Sequence, residues 1–451
     1  MMDKQTAVVS AILLTAWIVL SIIIPPFQSP DEDDHIARAY FLSKGMVFLH
    51  QETSRSSGGM NDTGLLALME EFRNMPPLNP LTRAKMKAVD SLQWTGIRTY
   101  DEAPGTGYYF PAIYVPQAAA LFIGEKLDLP VVASIRLARL AALATTFLLI
   151  SLAFSIYPAS PLIVSLLFIP MNLFQGATSG IDGIAAGLTI FSAAAFSRLV
   201  SEKGIAPSWI FPALAAATIV LTTSRLQATP QFILLLYACI HSGRKTDYAG
   251  FGLSFLLFVS WTIAAARYTV DLRNAQPSQP FEILQYYSQH PQLLAEVLWA
   301  TLSDKETISF YLAGFLGILG YMDTALPTVA YVLLSLYLLS VSILSVAPRS
   351  AGTDSTSRNL LILASVISPL IVLVSLLITW TEHPAKIIQG VQGRYFEIAA
   401  IYFAYGISGG RKDFDTPMWR AGWAIAVVGG LISIAFTSQA LLYRYYILPF
   451  K

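Results

Sequence analysis

The densest run of ionisable groups in the chain is PPFQSPDEDDHIARAYFLSKG, residues 25–45, in which Asp31, Glu32, Asp33 and Asp34 precede His35 and Arg38. A carboxylate with an imidazole and a guanidinium one turn away can act as a general base: partial desolvation raises its pKa, and Arg38 opposes that rise. Helical spacing puts Asp31, His35 and Arg38 on one stripe, with Asp34 also four residues before Arg38, while Ile36, Tyr40 and Phe41 lie on other faces suited to a membrane surface. The same residues have a purely structural use. Ser29 can N-cap a helix with Pro30 at its first position and Glu32 as capping-box partner, and acids there meet the positive end of the helix dipole. A second acid pair, Asp101 and Glu102 before GTGYYFPAIYVP, competes for the base role, although its Pro- and Gly-rich setting reads as a mobile, solvated turn.

Arginines and amides recur further along at the ends of apolar runs: Arg136 and Arg139, then Gln175, Ser179 and Asp182, then Arg225 and Gln227, then Arg267 and Arg273. The segment TEHPAKIIQGVQGRYFEI adds Glu382, His383, Lys386, Gln392, Arg394 and Tyr395. Singly, each is explained as a snorkelling side chain. Together they can line an anion-binding groove of the kind a lipid phosphate requires. Arg394 is the preferred phosphate contact, because Gly390 and Gly393 permit close backbone approach and a guanidinium offers forked donors. A divalent metal is compatible with Asp31, Glu32 and His35, but spacing on one short helix is no metal signature, so no metal ligand is assigned. Asn61-Asp62-Thr63 fits a glycosylation sequon.

Those residues need a scaffold, and composition says which kind. Of 451 residues, 55% are hydrophobic and 13% charged, with a mean hydropathy of +0.56, against roughly 25% charged in soluble domains. That excludes a soluble globular enzyme and a disordered chain. A net charge of +1 supplies no basic field for nucleic acid, and the single cysteine, Cys239, excludes an intrachain disulfide. Apolar runs of spanning length centre on residues 7–24, 131–156, 160–175, 181–198, 208–223, 229–241, 248–266, 327–347, 359–380, 395–409 and 419–440. The first reads as an uncleaved anchor. The stretches 110–124 and 307–322 are ambiguous and are taken as re-entrant or interfacial.

With the N-terminus inside, this assignment gives eleven spans and places Lys4, Arg198, Lys203, Arg244, Lys245, Arg349, Arg358, Arg411, Lys412 and Arg420 in inner loops, as basic residues prefer. It puts three hydrophilic segments on the outer face: 25–108, 267–306 and 381–394. Within the first, 65–73 and 80–92 read as short helices, while 53–64 is turn-like and 96–107 irregular. No repeat is evident, so residues 1–451 read as one all-α polytopic membrane domain with an embedded outer cap.

In that order, PPFQSPDEDDHIARAYFLSKG, YYFPAIYVPQAAALFIGEKLDLP followed by RLARL, the SGIDG turn, and GVQGRYF resemble the bacterial predicted membrane proteins of domain-of-unknown-function family 2142, itself similar to GT-C glycosyltransferases. The resemblance runs from residue 25 to 396. It implies a GT-C-like helical bundle with a large first extracytoplasmic loop, a catalytic acid in that loop, and a polyprenyl-phosphate-linked sugar as donor. The stretch from YYFPAIYVP to RLARL also looks like the segment by which lipid-linked aminoarabinose transferases re-enter the bundle. By this carry-over Asp31 is the base, Glu32 its neighbour, and Arg394 the phosphate contact; the extra Asp33-Asp34 pair departs from the family pattern and leaves open which acid acts.

The expectation is an inverting glycosyltransferase of the bacterial inner membrane, passing a sugar from a polyprenyl (undecaprenyl) phosphate to an envelope glycan or lipid such as O-antigen or lipopolysaccharide on the periplasmic side. Asp31, Glu32 and His35 would be catalytic. Arg394, Arg136, Arg139 and Arg225 would bind the donor phosphate, and Arg38, Tyr40, Tyr108, Tyr109, Asp182, Gln392 and Tyr395 the substrate. No nucleotide site is needed, in keeping with the lack of a P-loop or Rossmann fingerprint. The rival is a transporter or lipid-linked sugar flippase, which would place polar groups near the midplane between internal repeats; a noncatalytic scaffold would need Asp31 only for capping.

Overall fold

A computed structural model describes residues 4–73, 75, 81–201, 206–273, 280–346, 355–408 and 416–447. The inner-loop residues Lys203, Arg349, Arg411 and Lys412 lie outside them, as does the side chain of Lys4. The chain is an all-α polytopic membrane protein. Among the described residues, six helices are long and apolar enough to cross a bilayer: Gln5–Ile23, Val131–Ile156, Asp182–Ser201, Lys245–Tyr268, Ser355–Thr379 and Pro417–Tyr446. Asp182–Ser201 is the most enclosed of the six. Its sequence, DGIAAGLTIFSAAAFS, is rich in small residues, which let neighbouring helices come close without leaving voids.

All eleven apolar runs contain helix, but not all as single long spans. Residues 160–175 form two short helices, Pro161–Leu167 and Pro170–Gly176, separated at Phe168-Ile169, because Pro170 cannot donate to a continuing helix. Gln231–Ser242 and Glu397–Ser408 have 12 residues each, about 18 Å of helix against a hydrocarbon core of about 30 Å.

The two ambiguous stretches are likewise short. Pro111–Tyr114 is a 3-10 turn leading into Val115–Lys126, which packs back against Val131–Ile156. At Gly124 a Cβ would lie 2.3 Å from Ser134 Oγ, so only glycine allows the two helices to approach this closely. Lys305–Gly317 is a helix of 13 residues followed by a hairpin that pairs Ile318–Leu319 with Thr324–Ala325.

The first hydrophilic segment is more ordered than its composition suggests. Helices Thr63–Arg73 and Arg83–Asp90 form close to where periodicity puts them. The turn-like and irregular stretches on either side pair as antiparallel strands, Gly58–Asp62 with Arg98–Glu102. Sequence periodicity misses this pair because Gly58 and Gly59 are poor strand formers; they are needed where a Cβ on Gly58 would lie 2.0 Å from the Asp101 carbonyl and one on Gly59 2.9 Å from the Phe41 ring. Asp101 and Glu102 therefore sit on a strand and not in a mobile turn. Asn61 is fully buried on the partner strand, which removes the sequon from solvent.

The second hydrophilic segment is also largely helical, with Pro280–Gln289 and Pro291–Ser303 covering a small separate core that includes Ile283, Tyr287, Tyr311 and Leu377. Arg444, at the end of the last long helix, donates to the Met75 carbonyl and to Asp323. The C-terminal end of that helix thus shares a side of the bundle with the first hydrophilic segment.

Candidate functional site

Four segments expected on one face converge at one end of the bundle: the chain after the first helix, the 176–182 turn, the 223–228 turn and residues 390–396. The helix Glu32–Ser43 starts two residues later than the capping-box pattern predicts. Its N-cap is Asp31, held in the left-handed region at φ 61°, ψ 13°, with no side-chain cap bond. Asp tolerates that region better than most residues, yet the conformation remains strained, and its carboxylate is left available for other contacts.

One half of the capping box survives: Glu32 Oε2 accepts from the Ser29 N–H at 3.3 Å. The rest of the Glu32 carboxylate is also saturated. Arg139 donates from Nε to Oε1 and from Nη2 to Oε2, each at 3.0 Å, and Ser179 donates from its N–H at 2.9 Å and its hydroxyl at 2.6 Å. Arg139 also donates to the carbonyls of Ile24 at 2.5 Å and Pro25 at 2.6 Å. Burial acts to raise the Glu32 pKa, but Arg139 and Ser179 outweigh it and hold the carboxyl below its ordinary range. Glu32 and Arg139 thereby pin the helix start to the helix Val131–Ile156 and to the 176–182 turn, leaving neither group open to a ligand.

Asp31 meets a different partner. Its Oδ2 accepts from Arg394 Nη2 at 3.0 Å, and Arg394 Nη1 donates to Asp182 Oδ2 at 3.1 Å. Arg225 pairs with the other Asp182 oxygen. Two arginines and two aspartates thus alternate in one chain, with Arg394 side-chain exposure of 6% and Asp31 of 46%. Arg394 Nε is buried with no partner, as is Gln392 Oε1. Both residues line a small cleft with Pro30, Met171, Gln175 and Met322. Arg225 lies over the Tyr109 ring at 5.2 Å, and Arg394 over Tyr395 at 5.4 Å.

Gly393 places Arg394. A Cβ at that position would lie 2.1 Å from the Phe315 nitrogen and 2.2 Å from the Tyr311 carbonyl oxygen, so the 390–396 turn rests directly on the backbone of the helix Lys305–Gly317. The close approach that Gly393 allows is to this helix, whereas the sequence argument invoked it for a phosphate.

The other acids form a wall beside Asp31. Asp33 lies 3.5 Å from Arg73, and Asp34 3.5 Å from Arg273. Burial and then Asp33 push Asp34 up to about 8, against the pull of Arg273. Burial also raises Asp33 and Asp101, although Arg73 opposes the first and the Asn61 amide, 2.9 Å away, the second. His35 is buried, with Nδ1 2.9 Å from the Tyr114 hydroxyl. Burial brings it down to about 4 although Asp31 opposes, so the imidazole is neutral near pH 7.

Several expected ligands are engaged elsewhere. Arg38 is fully buried and donates to the Met46 and Val47 carbonyls, holding the chain that follows its helix. Tyr40 is fully buried and stacked on Trp94. Arg136 is exposed, 3.6 Å from Asp90. Tyr108 is partly exposed and its carbonyl accepts from the Trp261 indole at 3.0 Å. Asp31, His35, Tyr109, Asp182, Arg225, Gln392, Arg394 and Tyr395 are gathered at the cleft or its chain of charges. Sequence reasoning missed Met322, which lines the cleft, and Tyr321 beside the acids, both on the 318–325 hairpin. The turn residues Gly320 and Asp323 were a signal, but the apolar run before them obscured it. Among the described residues no group of three or more His, Cys, Asp or Glu is arranged to hold a metal.

The family described as predicted membrane protein (DUF2142) matches residues 13–401. No curated protein matches the sequence. Among solved structures, the chain is similar to ArnT from Cupriavidus metallidurans, crystallised bound to undecaprenyl phosphate, with 11% identity, a TM-score of 0.34, and coverage of 95% of this chain and 77% of that chain.

Proposed function

The chain belongs to the DUF2142 family of predicted membrane proteins, and from that premise we propose that it is an inverting, GT-C-type glycosyltransferase using a polyprenyl-phosphate-linked sugar. The acceptor is a hydroxyl of an envelope glycan or lipid, such as O-antigen or lipopolysaccharide, on the periplasmic side of a bacterial inner membrane. Asp31 takes the proton of the acceptor hydroxyl as its oxygen forms a bond to the anomeric carbon. The bond from that carbon to the phosphate oxygen breaks, and its electron pair leaves with the polyprenyl phosphate. Arg394, backed by Arg225, stabilises the charge that develops on the departing phosphate.

One observation carries this reading: a half-exposed carboxylate, held in a strained backbone conformation, lies within 3.0 Å of a buried arginine that lines a cleft. Inversion puts the base and the phosphate contact on opposite faces of the anomeric carbon, so this neighbouring pair can serve both roles once its ion pair opens around the substrate. A transporter or flippase would place its polar groups near mid-bilayer, whereas this charged chain lies at helix ends on one side.

The test is sugar transfer from a labelled polyprenyl-phosphate sugar, using purified wild type, Asp31→Asn and Asp31→Ala. Transfer by the wild type and loss in both variants, with folding intact, is the expected result. Full transfer by both variants removes Asp31 as base. No transfer by wild type over several donors and acceptors, together with robust transport, supports the rival.

A further inference from the structure

The guanidinium of Arg394 donates to Asp31 through Nη2, a donor that an anionic ligand would also use. We propose that this pairing is an internal latch: Asp31 holds the phosphate seat of Arg394 until a phosphoester takes its place, so that donor binding is the event that frees the base. The inference rests on the glycosyltransferase reading and adds to it an order of events, donor before acceptor deprotonation.

The two carboxylates on Arg394 are not equivalent. Asp182 is shared with Arg225 and its side chain is largely enclosed. Among the described residues Asp31 has this one ion pair, and it has an exposed flank. An incoming anion therefore displaces Asp31 more easily than Asp182, and side-chain rotation alone suffices because the left-handed backbone keeps the carboxylate outside its own helix cap.

Two orphaned atoms point to the ligand. Arg394 Nε is a buried donor and Gln392 Oε1 a buried acceptor, two residues apart on side chains that line the cleft. A ligand that supplies an acceptor to the one and a donor to the other can satisfy both. An anionic oxygen satisfies Nε and a hydroxyl satisfies the amide oxygen, which is the chemistry of a glycosyl phosphate. Charge balance agrees. Arg225 and Arg394 are already neutralised by Asp182 and Asp31, so a phosphate is accepted only if one carboxylate withdraws. The one that withdraws is then unpaired beside the bound sugar, where a base is needed.

The experiment measures binding of farnesyl phosphate, with uncharged farnesol as control, to the full chain in detergent by calorimetry. Asp31→Asn is expected to bind farnesyl phosphate about tenfold tighter than wild type, a difference of about 1.4 kcal/mol, while losing transfer. Arg394→Gln and the Asp31→Asn/Arg394→Gln double variant are expected to bind equally poorly. Asn is among the residues best tolerated at positive φ, and Asp31→Gly provides a second route to the same vacancy if the Asn variant has a lowered melting midpoint. Unchanged or weaker binding in correctly folded Asp31 variants overturns the latch and leaves the glycosyltransferase reading standing. No binding of farnesyl phosphate by wild type or variants overturns both.

Discussion

Glu32 and Arg139 lie 107 residues apart and meet side by side through two hydrogen bonds of 3.0 Å, with side-chain exposures of 0% and 3%. Removing one partner leaves the other charged, buried and unpaired, a loss of about 3–5 kcal/mol. Glu32→Ala or Arg139→Ala is therefore expected to lower the thermal unfolding midpoint sharply in detergent. The double variant Glu32→Leu/Arg139→Met is expected to regain part of that loss, since a dry apolar pair avoids desolvating either ion. A double variant less stable than either single one would show that the pair contributes through some other contact.

Gly393→Ala tests whether the turn around Arg394 is set by backbone contact. Its Cβ has no room beside Phe315 and Tyr311, and those neighbours are main-chain atoms that move only with their helix. Displacing Arg394 by even an ångström is expected to cut transfer by about 100-fold and to lower the melting midpoint. Gly390→Ala makes the comparison: its nearest obstacle is the Trp380 side chain, which can rotate, although its φ of +76° still favours glycine. Loss of activity is therefore expected to be smaller at 390 than at 393 when both variants are assayed at equal folded protein.

Asp34 and His35 oppose one another in the pH dependence of stability. Asp34 is raised to about 8, so its contribution is full below the unfolded value near 4 and is lost as pH rises through 8. His35 is lowered to about 4, so its contribution is full above the unfolded value near 6.5 and is lost as pH falls through 4. Between pH 4 and 6.5 the two slopes cancel; between 6.5 and 8 Asp34 acts alone, and stability falls as pH rises. Melting midpoints of wild type and Asp34→Asn over pH 5–8.5 check this. The variant is expected to lose the decline above 6.5 and to show stability rising with pH below it. An unchanged profile would mean that Asp34 is not a protonated acid in the native state.

What the sequence made legible follows from which physical constraints are local. Apolar runs and the two short helices of the first hydrophilic segment could be read from composition and periodicity, whereas Asp31 was singled out among four neighbouring acids only by the family resemblance. Pairings between distant segments could not. Nothing local assigns Arg139 to Glu32 while sending Arg394 to Asp31, although both arginines were expected at a phosphate. The strands 58–62 and 98–102 were hidden because their glycines answer to packing against Phe41 and Asp101, a tertiary requirement. The helix start shifted from Ser29 to Asp31 because Glu32 is fastened to the bundle, and that fastening overrides the local capping pattern.

Replacing Arg394 by lysine separates charge from geometry at the same position. Arginine spans two carboxylates because Nη1 and Nη2 diverge from one planar group, one toward Asp182 and one toward Asp31. An ammonium keeps the charge but is a single point on a flexible stem and cannot hold that fork. It is expected to settle beside Asp182, whose oxygens are already ordered by Arg225, and to leave Asp31 unpaired. Arg394→Lys should then retain near-native stability, lose transfer by about 10–100-fold as expected for one misplaced electrostatic contact, and bind farnesyl phosphate more weakly than wild type. Wild-type transfer in this variant would show that positive charge alone suffices at position 394, and that the fork serves only to join Asp31 to Asp182.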